Sequence, residues 1–284
     1  MLMNRVYVVC YNKPEFLDVQ VNCFNKFCED QFELIVINNG IDDHHSNMIK
    51  DECRLYNLKC IDVVKRSRDE YCSQSHSQAL EYALTHAMKD DKSEGLNVIM
   101  DNDVFPYRKF SFNRLMGDHL LGGMYQQRDV HDYIAAIFLM IDRRLDLSDF
   151  SFHRGIGDTG AAVQVLMKKY NIVPRYVNHT GQIDIESEYI FRCKGDVPYE
   201  ERFRSQFIGD AFIHYYRGSN WSEADPEYHK QKWKFMLSFL NNPESYCLNL
   251  DEYVNYPTAH SDKSYNGSDH NYRNYRFLQI KKPS

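Results

Sequence analysis

The apolar run Asn97–Met100 ends in Asp101-Asn102-Asp103 and is then stopped by Val-Phe-Pro. Two carboxylates this close at the end of a buried strand repel each other, and they cost stability unless a cation or solvent compensates. Their oxygens suit a hard divalent ion, Mn2+ or Mg2+, and a cation bridging to a diphosphate would neutralise both. The bland alternative is a turn in which Asp and Asn bond to their own backbone.

Other residues with the right chemistry collect after apolar runs. Asn12-Lys13 follows "RVYVVCY", Asn38-Asn39 closes "FELIVINNG", and Lys65, Arg66 and Arg68 make a basic cluster after "LKCIDVV". Asn12, Asn38, Asn39 and Arg66 are candidates for nucleotide contacts, with turn chemistry or a solvated basic loop as the competing reading. His76 in "SQSHSQAL" sits early in its helix and faces the expected ligand edge, with a capping or surface histidine as the preferred reading. Asp158 in "RGIGDTGAAVQVL" heads an amphipathic segment, where Asp is a good N-cap. Asp184 and Glu186 in "GQIDIESEY" are further acidic residues, and Asp132 and Asp142 flank "YIAAIFLMI". His214, Arg217, Ser219 and Trp221 fall together in "IHYYRGSNW".

The elements that position these residues alternate. Continuous β-branched runs at 5–11, 32–40, 58–65 and 96–100 read as strands buried on both faces, and helical spacing at 14–28, 45–57 and 73–90 fills the intervals. Such alternation specifies an α/β fold around an open, mostly parallel sheet, whose ligands bind beyond the carboxyl ends of the strands. After Pro106 the alternation stops. A strand is expected at 133–144, a helix at 158–170, a strand running into a polar loop at 206–221 and a helix at 226–242. The stripe "WKFML" in that last helix reads as packing. The simplest division is a domain over 1–222 with a C-terminal extension over 223–284.

Composition narrows the function classes. Among 284 residues, 34 basic against 40 acidic ones give a net charge of -6, interspersed along the chain, which argues against a nucleic-acid-coating protein. The 8 cysteines show no CxxC or zinc spacing, consistent with reduced thiols in the cytoplasm. The longest apolar run, 134–141, is too short to span a bilayer.

The stretch "VIMDND" resembles the strand and DxD motif of the GT-A glycosyltransferases, which use nucleotide-sugar donors and have a Rossmann-like N-terminal half. That resemblance implies that Asp103 binds Mn2+ or Mg2+, and that Asp101 contacts ribose or the metal. "IHYYRGSNW" resembles the histidine segment of the glycogenin-like branch, which implies His214 as a further metal ligand and a diphosphate contact for the following loop. The lysine of that pattern is missing. Arg217 can grip phosphate oxygens bidentately instead, beside Ser219. In inverting members an acidic residue at the start of the acceptor-side helix is the base toward the acceptor hydroxyl, which implies that role for Asp158 and inversion at the anomeric carbon, with Asp184 and Glu186 as reserve candidates and Asp132 and Asp142 as sugar contacts. The segment resembling the glycogenin-like branch implies retention. The expected protein is a metal-dependent enzyme that moves a sugar from a nucleotide diphosphate sugar to an acceptor hydroxyl of a glycan. The rivals are a nucleotidyltransferase acting on a sugar phosphate, for which "CYNKPEF" lacks a glycine-rich loop, and an inactive carbohydrate-binding domain of the same fold.

Overall fold

The apolar runs Met3–Cys10, Gln31–Asn38 and Leu96–Asp101 form strands β1, β2 and β4 of the computed structural model, with the shorter β3 at Lys59–Asp62. The structure describes residues 2–63, 72–91, 93–128, 131–152, 159–179, 183–186, 204–215, 218, 226–245 and 278–279. The chain divides into two compact units, Met1–Val177 and Asn178–Ser284. The boundary expected at 222/223 lies outside the described residues.

In the first unit β5 is Val104–Pro106, β6 Leu121–Arg128, β7 His131–Asp142 and β8 Arg175–Val177. The central sheet runs β3-β2-β1-β4-β7-β6-β8. β3, β2, β1 and β4 are parallel, β7 is antiparallel to both β4 and β6, and β8 is parallel to β6. This is an α/β fold with a mixed, mostly parallel sheet.

Helices cover both faces. Pro14 opens α1 (Pro14–Phe27), where its missing N–H costs nothing. Asp42 caps α2 (Asp43–Leu55) by accepting from His45 N at 2.9 Å. Third comes α3 (Cys72–Ala83), which continues as a π-helical turn, Leu84–Met88. Along a strand alternate side chains face opposite ways. Tyr7, Val9, Ile35, Ile37 and Ile99 therefore share one face, and there they pack with Ala79, Leu80, Ala83 and Leu84 of α3. Cys60, level with Val36, points to the other face, where it meets Cys53 of α2.

The later elements depart from expectation. β6 was not among the expected strands. Gly122 and Gly123 pair in register with Met140 and Leu139, and the register shifts between Gly123 and Tyr125, where the surplus residues lie on β7; Gly123 has φ 150, and a Cβ there would lie 2.3 Å from Phe138 O. A short α4 (Phe112–Met116), capped by Ser111, precedes it. The helix expected at 158–170 is a 3-10 turn, Thr159–Ala162, running into α5 (Val163–Lys169).

In the second unit β9 (Ile183–Glu186), β10 (Arg204–Ile208) and β11 (Phe212–His214) pair antiparallel, and β12 (Leu278–Gln279) is parallel to β9. The single strand expected from 206 is thus a hairpin, turning at Gly209-Asp210. α6 (Pro226–Asn241) packs on β10 through Phe239 against Phe207, ring centroids 6.2 Å apart. Phe235 and Met236 of the "WKFML" stripe are buried. Among the described residues no helix is long and apolar enough to cross a membrane.

Candidate functional site

β1 has β2 on one side and β4 on the other, so the strand order reverses beside β1 and a crevice opens beyond the carboxyl ends there. Val9 of β1 is level with Asp101 of β4. The sheet therefore delivers Asn12, Asn38, Asn39 and the Asp101–Asp103 turn to one edge.

The turn is rigid for reasons that its neighbours supply. Gln20 is fully buried on α1, and its Nε2 donates to the carbonyls of Asp101 at 3.0 Å and Val104 at 2.8 Å, one on each side of the turn. Asn102 points inward: its Nδ2 donates to Lys13 O at 3.2 Å and meets Cys10 Sγ at 3.4 Å, while its N–H reaches Val9 O at 3.3 Å. The middle residue thus anchors the turn to the start of α1 and leaves the chemistry to the two aspartates. Asp103 is 4% exposed. Burial pushes the Cys10 thiol up to about 12, so it stays protonated near neutrality and behaves as a small hydrophobe.

The asparagines bind the edge together. Asn12 adopts a left-handed φ of 56 and accepts from Ile41 N at 2.7 Å, tying the β1–α1 loop to the β2–α2 loop. Asn38 Nδ2 donates to Asp62 Oδ1 at 2.8 Å and to Ser46 Oγ at 2.9 Å, and its Oδ1 accepts from Gly40 N at 3.2 Å. Its amide is occupied by turn chemistry. Asn39 Nδ2 reaches Ser75 Oγ at 3.0 Å. Gly40 admits the close approach of α2: a Cβ would lie 2.6 Å from Ser46 N.

His76 lies at the edge its helix was expected to face, and not as a surface or capping residue: its Nε2 is 2.9 Å from Asp101 Oδ1 and its Nδ1 3.4 Å from Thr159 Oγ1. The Nε2–Oδ1 approach is at ion-pair distance but off the line of a hydrogen bond. Gln20 is a residue the sequence did not flag. The available signal was a polar side chain in the buried stripe of α1, between Phe16-Leu17 and Val21-Phe24. Among the described residues no group of three or more His, Cys, Asp or Glu is gathered where it could hold a metal ion. Two carboxylates still fit a magnesium-like ion, which usually keeps waters and takes one or two carboxylates plus substrate phosphates.

The remaining candidates divide. Lys65, Arg66, Arg68, Asp158, Arg217, Ser219 and Trp221 lie outside the described residues. Asp132 belongs to the start of β7, and Asp184 and Glu186 to β9. Asp142 ends β7, but β7 is antiparallel to β4, so Asp142 is level with Leu96 at the opposite edge of the sheet. There it pairs with Arg144, at 2.9 Å to Nε and 2.8 Å to the Nη2 nitrogen, and it is no sugar contact for the Asp101 edge.

In the second unit His214 ends β11 directly across from Gln206, and its Nδ1 lies 3.2 Å from Gln206 Oε1. An amide oxygen only accepts, so Nδ1 carries a proton, and in the neutral ring Nε2 is the nitrogen able to ligate. Gln206 Nε2 in turn reaches His179 Nδ1 at 2.9 Å.

No known family matches the chain, and no curated protein matches it. Solved structures do. The chain is similar to the mannosyltransferase PcManGT from Pyrobaculum calidifontis in complex with GDP-Man and Mn2+, at 14% identity over 61% of this chain and 54% of that one, with a TM-score of 0.43. It thus spans about half the length of that protein. It is also similar to an active-site mutant of LgtC, at 14% identity over 81% of this chain and 95% of that one, TM-score 0.44. A third similarity is to S. aureus TarS, residues 1–349, at 14% identity over 62% of this chain and 58% of that one, TM-score 0.39.

Proposed function

We propose that the carboxyl edge of the Met1–Val177 sheet binds a nucleotide diphosphate sugar through Mn2+ or Mg2+, and that the protein is a glycosyltransferase acting on an acceptor hydroxyl of a glycan. The observation that carries this reading is the Asp101-Asn102-Asp103 turn, beside the reversal of strand order and braced by Gln20 and Asn102. The turn sets two carboxylates two residues apart at the ligand edge of the sheet, and oxygen ligands of this kind suit a hard divalent cation together with substrate phosphates.

Asp101 and Asp103 hold the cation in this reading. When bound, the cation supplies Lewis-acid neutralisation of the departing nucleoside diphosphate. Asn12, Asn39 and the strand ends around them bound the space for the nucleoside. Asp158 takes the proton of the acceptor hydroxyl, as a general base within hydrogen-bond reach does.

The test is a turnover assay with UDP-, GDP- and TDP-sugars, with Mn2+ and with a chelator. The expected result is release of nucleoside diphosphate from one donor class that stops on chelation. Equal turnover in chelator would overturn the cation's role, and no turnover with any donor would overturn the enzymatic reading.

A further inference from the structure

His76 has no role in the function as proposed so far, yet it is set against Asp101 from a fixed scaffold. α3 is fastened to the 151–152 segment by Ser77 Oγ, which donates to Phe152 O at 2.5 Å, and by Glu81 Oε2, which accepts from Phe152 N at 2.6 Å and from Ser151 Oγ at 2.9 Å. Thr159, on the far side of the ring, is 1% exposed. The next residue, Gly160, abuts β7 so closely that a Cβ would lie 2.2 Å from Ile134 O. The imidazole thus stands between a buried hydroxyl and a strand-end carboxylate, and neither support is free to drift.

The two neighbours favour one tautomer. A carboxylate only accepts, so a bond to Asp101 needs hydrogen on Nε2. In the neutral ring Nδ1 is then the acceptor, which suits the Thr159 hydroxyl as donor. The off-line contact at 2.9 Å fits a bond that tightens when the site is loaded, as hydrogen bonds in empty active sites often do.

We propose that His76 is a positioning residue for Asp101. Held as the Nε2–H tautomer by Thr159, it fixes the carboxylate through Oδ1, so that Asp101 meets the cation and diphosphate in one orientation. This inference rests on the cation site proposed above. Partners of this kind typically change metal affinity by about 10- to 100-fold when removed.

Two measurements test it on the full chain. Long-range 1H–15N correlation spectra of the metal-free protein should show His76 protonated at Nε2; an Nδ1–H signature would overturn the proposal whatever the metal does. Mn2+ uptake should then be followed by the electron paramagnetic resonance of the free ion, in the presence of UDP or GDP. His76→Phe keeps a ring and loses the donor, and should weaken uptake about 10- to 100-fold. His76→Gln places an amide nitrogen near the position of Nε2 and should stay within about threefold of wild type, as a retained hydrogen bond would. Wild-type uptake matched by His76→Phe, or lost equally in both variants, would overturn the positioning role alone. No uptake by wild type would overturn the cation site itself, and this inference with it.

Discussion

At the amino edge of the parallel strands, Asp91 sits between two guanidinium groups; at the carboxyl edge, Asp101 faces an imidazole, with Asp103 two residues further on. Arg5 and Arg143 both pair with Asp91, and Arg143, its side chain only 1% exposed, also donates to Leu96 O at 3.2 Å and to Met3 O. Burial alone would raise the Asp91 carboxyl, but its bonds from Ser93 and the nearby Arg143 and Arg5 outweigh burial and hold it below the usual carboxylate range. Arg143 itself is lowered, chiefly by burial. An acid placed for stability is therefore met by fixed positive charge from the chain. At the other edge Asp101 ends β4 with a histidine 2.9 Å from its carboxylate and a glutamine bonded to its backbone carbonyl, and the proposed reading places a diffusible cation there.

The contrast can be broken most forcefully at the amino edge. Asp91→Asn leaves Arg143 buried against a neutral partner, and breaking such a pair costs about 3–5 kcal/mol. The sign of the pH dependence follows from the lowered carboxyl. Asp91 contributes its stability above the unfolded carboxylate pKa and loses it as pH falls through the lower, folded value. The gap between variant and wild type in urea melts should be widest near neutrality and should close in acid below the ordinary carboxylate range. A gap independent of pH would show that packing, not charge, holds this edge.

Gln20→Leu comes next. It leaves the carbonyls of Asp101 and Val104 without their buried donor, at a cost of about 1–3 kcal/mol. It should also weaken cation-dependent nucleotide binding, because the turn that aims the carboxylates loses its brace. Lost stability with unchanged binding per folded molecule would separate the brace from the site. The smallest effect is expected at Asn12. Asn12→Ala removes the bond to Ile41 N and leaves a side chain at φ 56, about 1–2 kcal/mol in all. Asn12→Gly relieves the strain and should cost less; equal losses would assign the whole effect to the hydrogen bond.

The parts of the fold that the sequence displays are those where one local signal has one structural meaning. β1, β2 and β4 are apolar on both faces, so they could be read as strands of a parallel sheet, and Pro14 marked the start of α1 correctly. β6 was hidden because Gly122-Gly123 carries no strand signal of its own, and the partners that pair with it, Met140 and Leu139, lie far along the chain. The hairpin at β10–β11 was hidden for a related reason, since its Gly-Asp turn interrupts a run that is apolar on both sides. At the candidate site, the place of the aspartates at a strand end and of His76 on the facing helix was legible from type and spacing. The contact of His76 and the brace from Gln20 were not, because they depend on Asp101, which is 25 and 81 residues away in sequence respectively. Asn38 shows the converse: its type suggested a ligand contact, and its amide is engaged by Asp62 and Ser46.

The most direct test of the central claim is the thermal stability of the wild-type chain with UDP or GDP, measured with Mn2+ and with a chelator, beside Asp103→Asn. A ligand bound only by the folded state stabilises it by about 2.7 kcal/mol at a hundredfold excess over its dissociation constant. The account predicts that stabilisation for one nucleotide in Mn2+, and none in chelator or in Asp103→Asn. Equal stabilisation in chelator, or in Asp103→Asn with Mn2+, would contradict it.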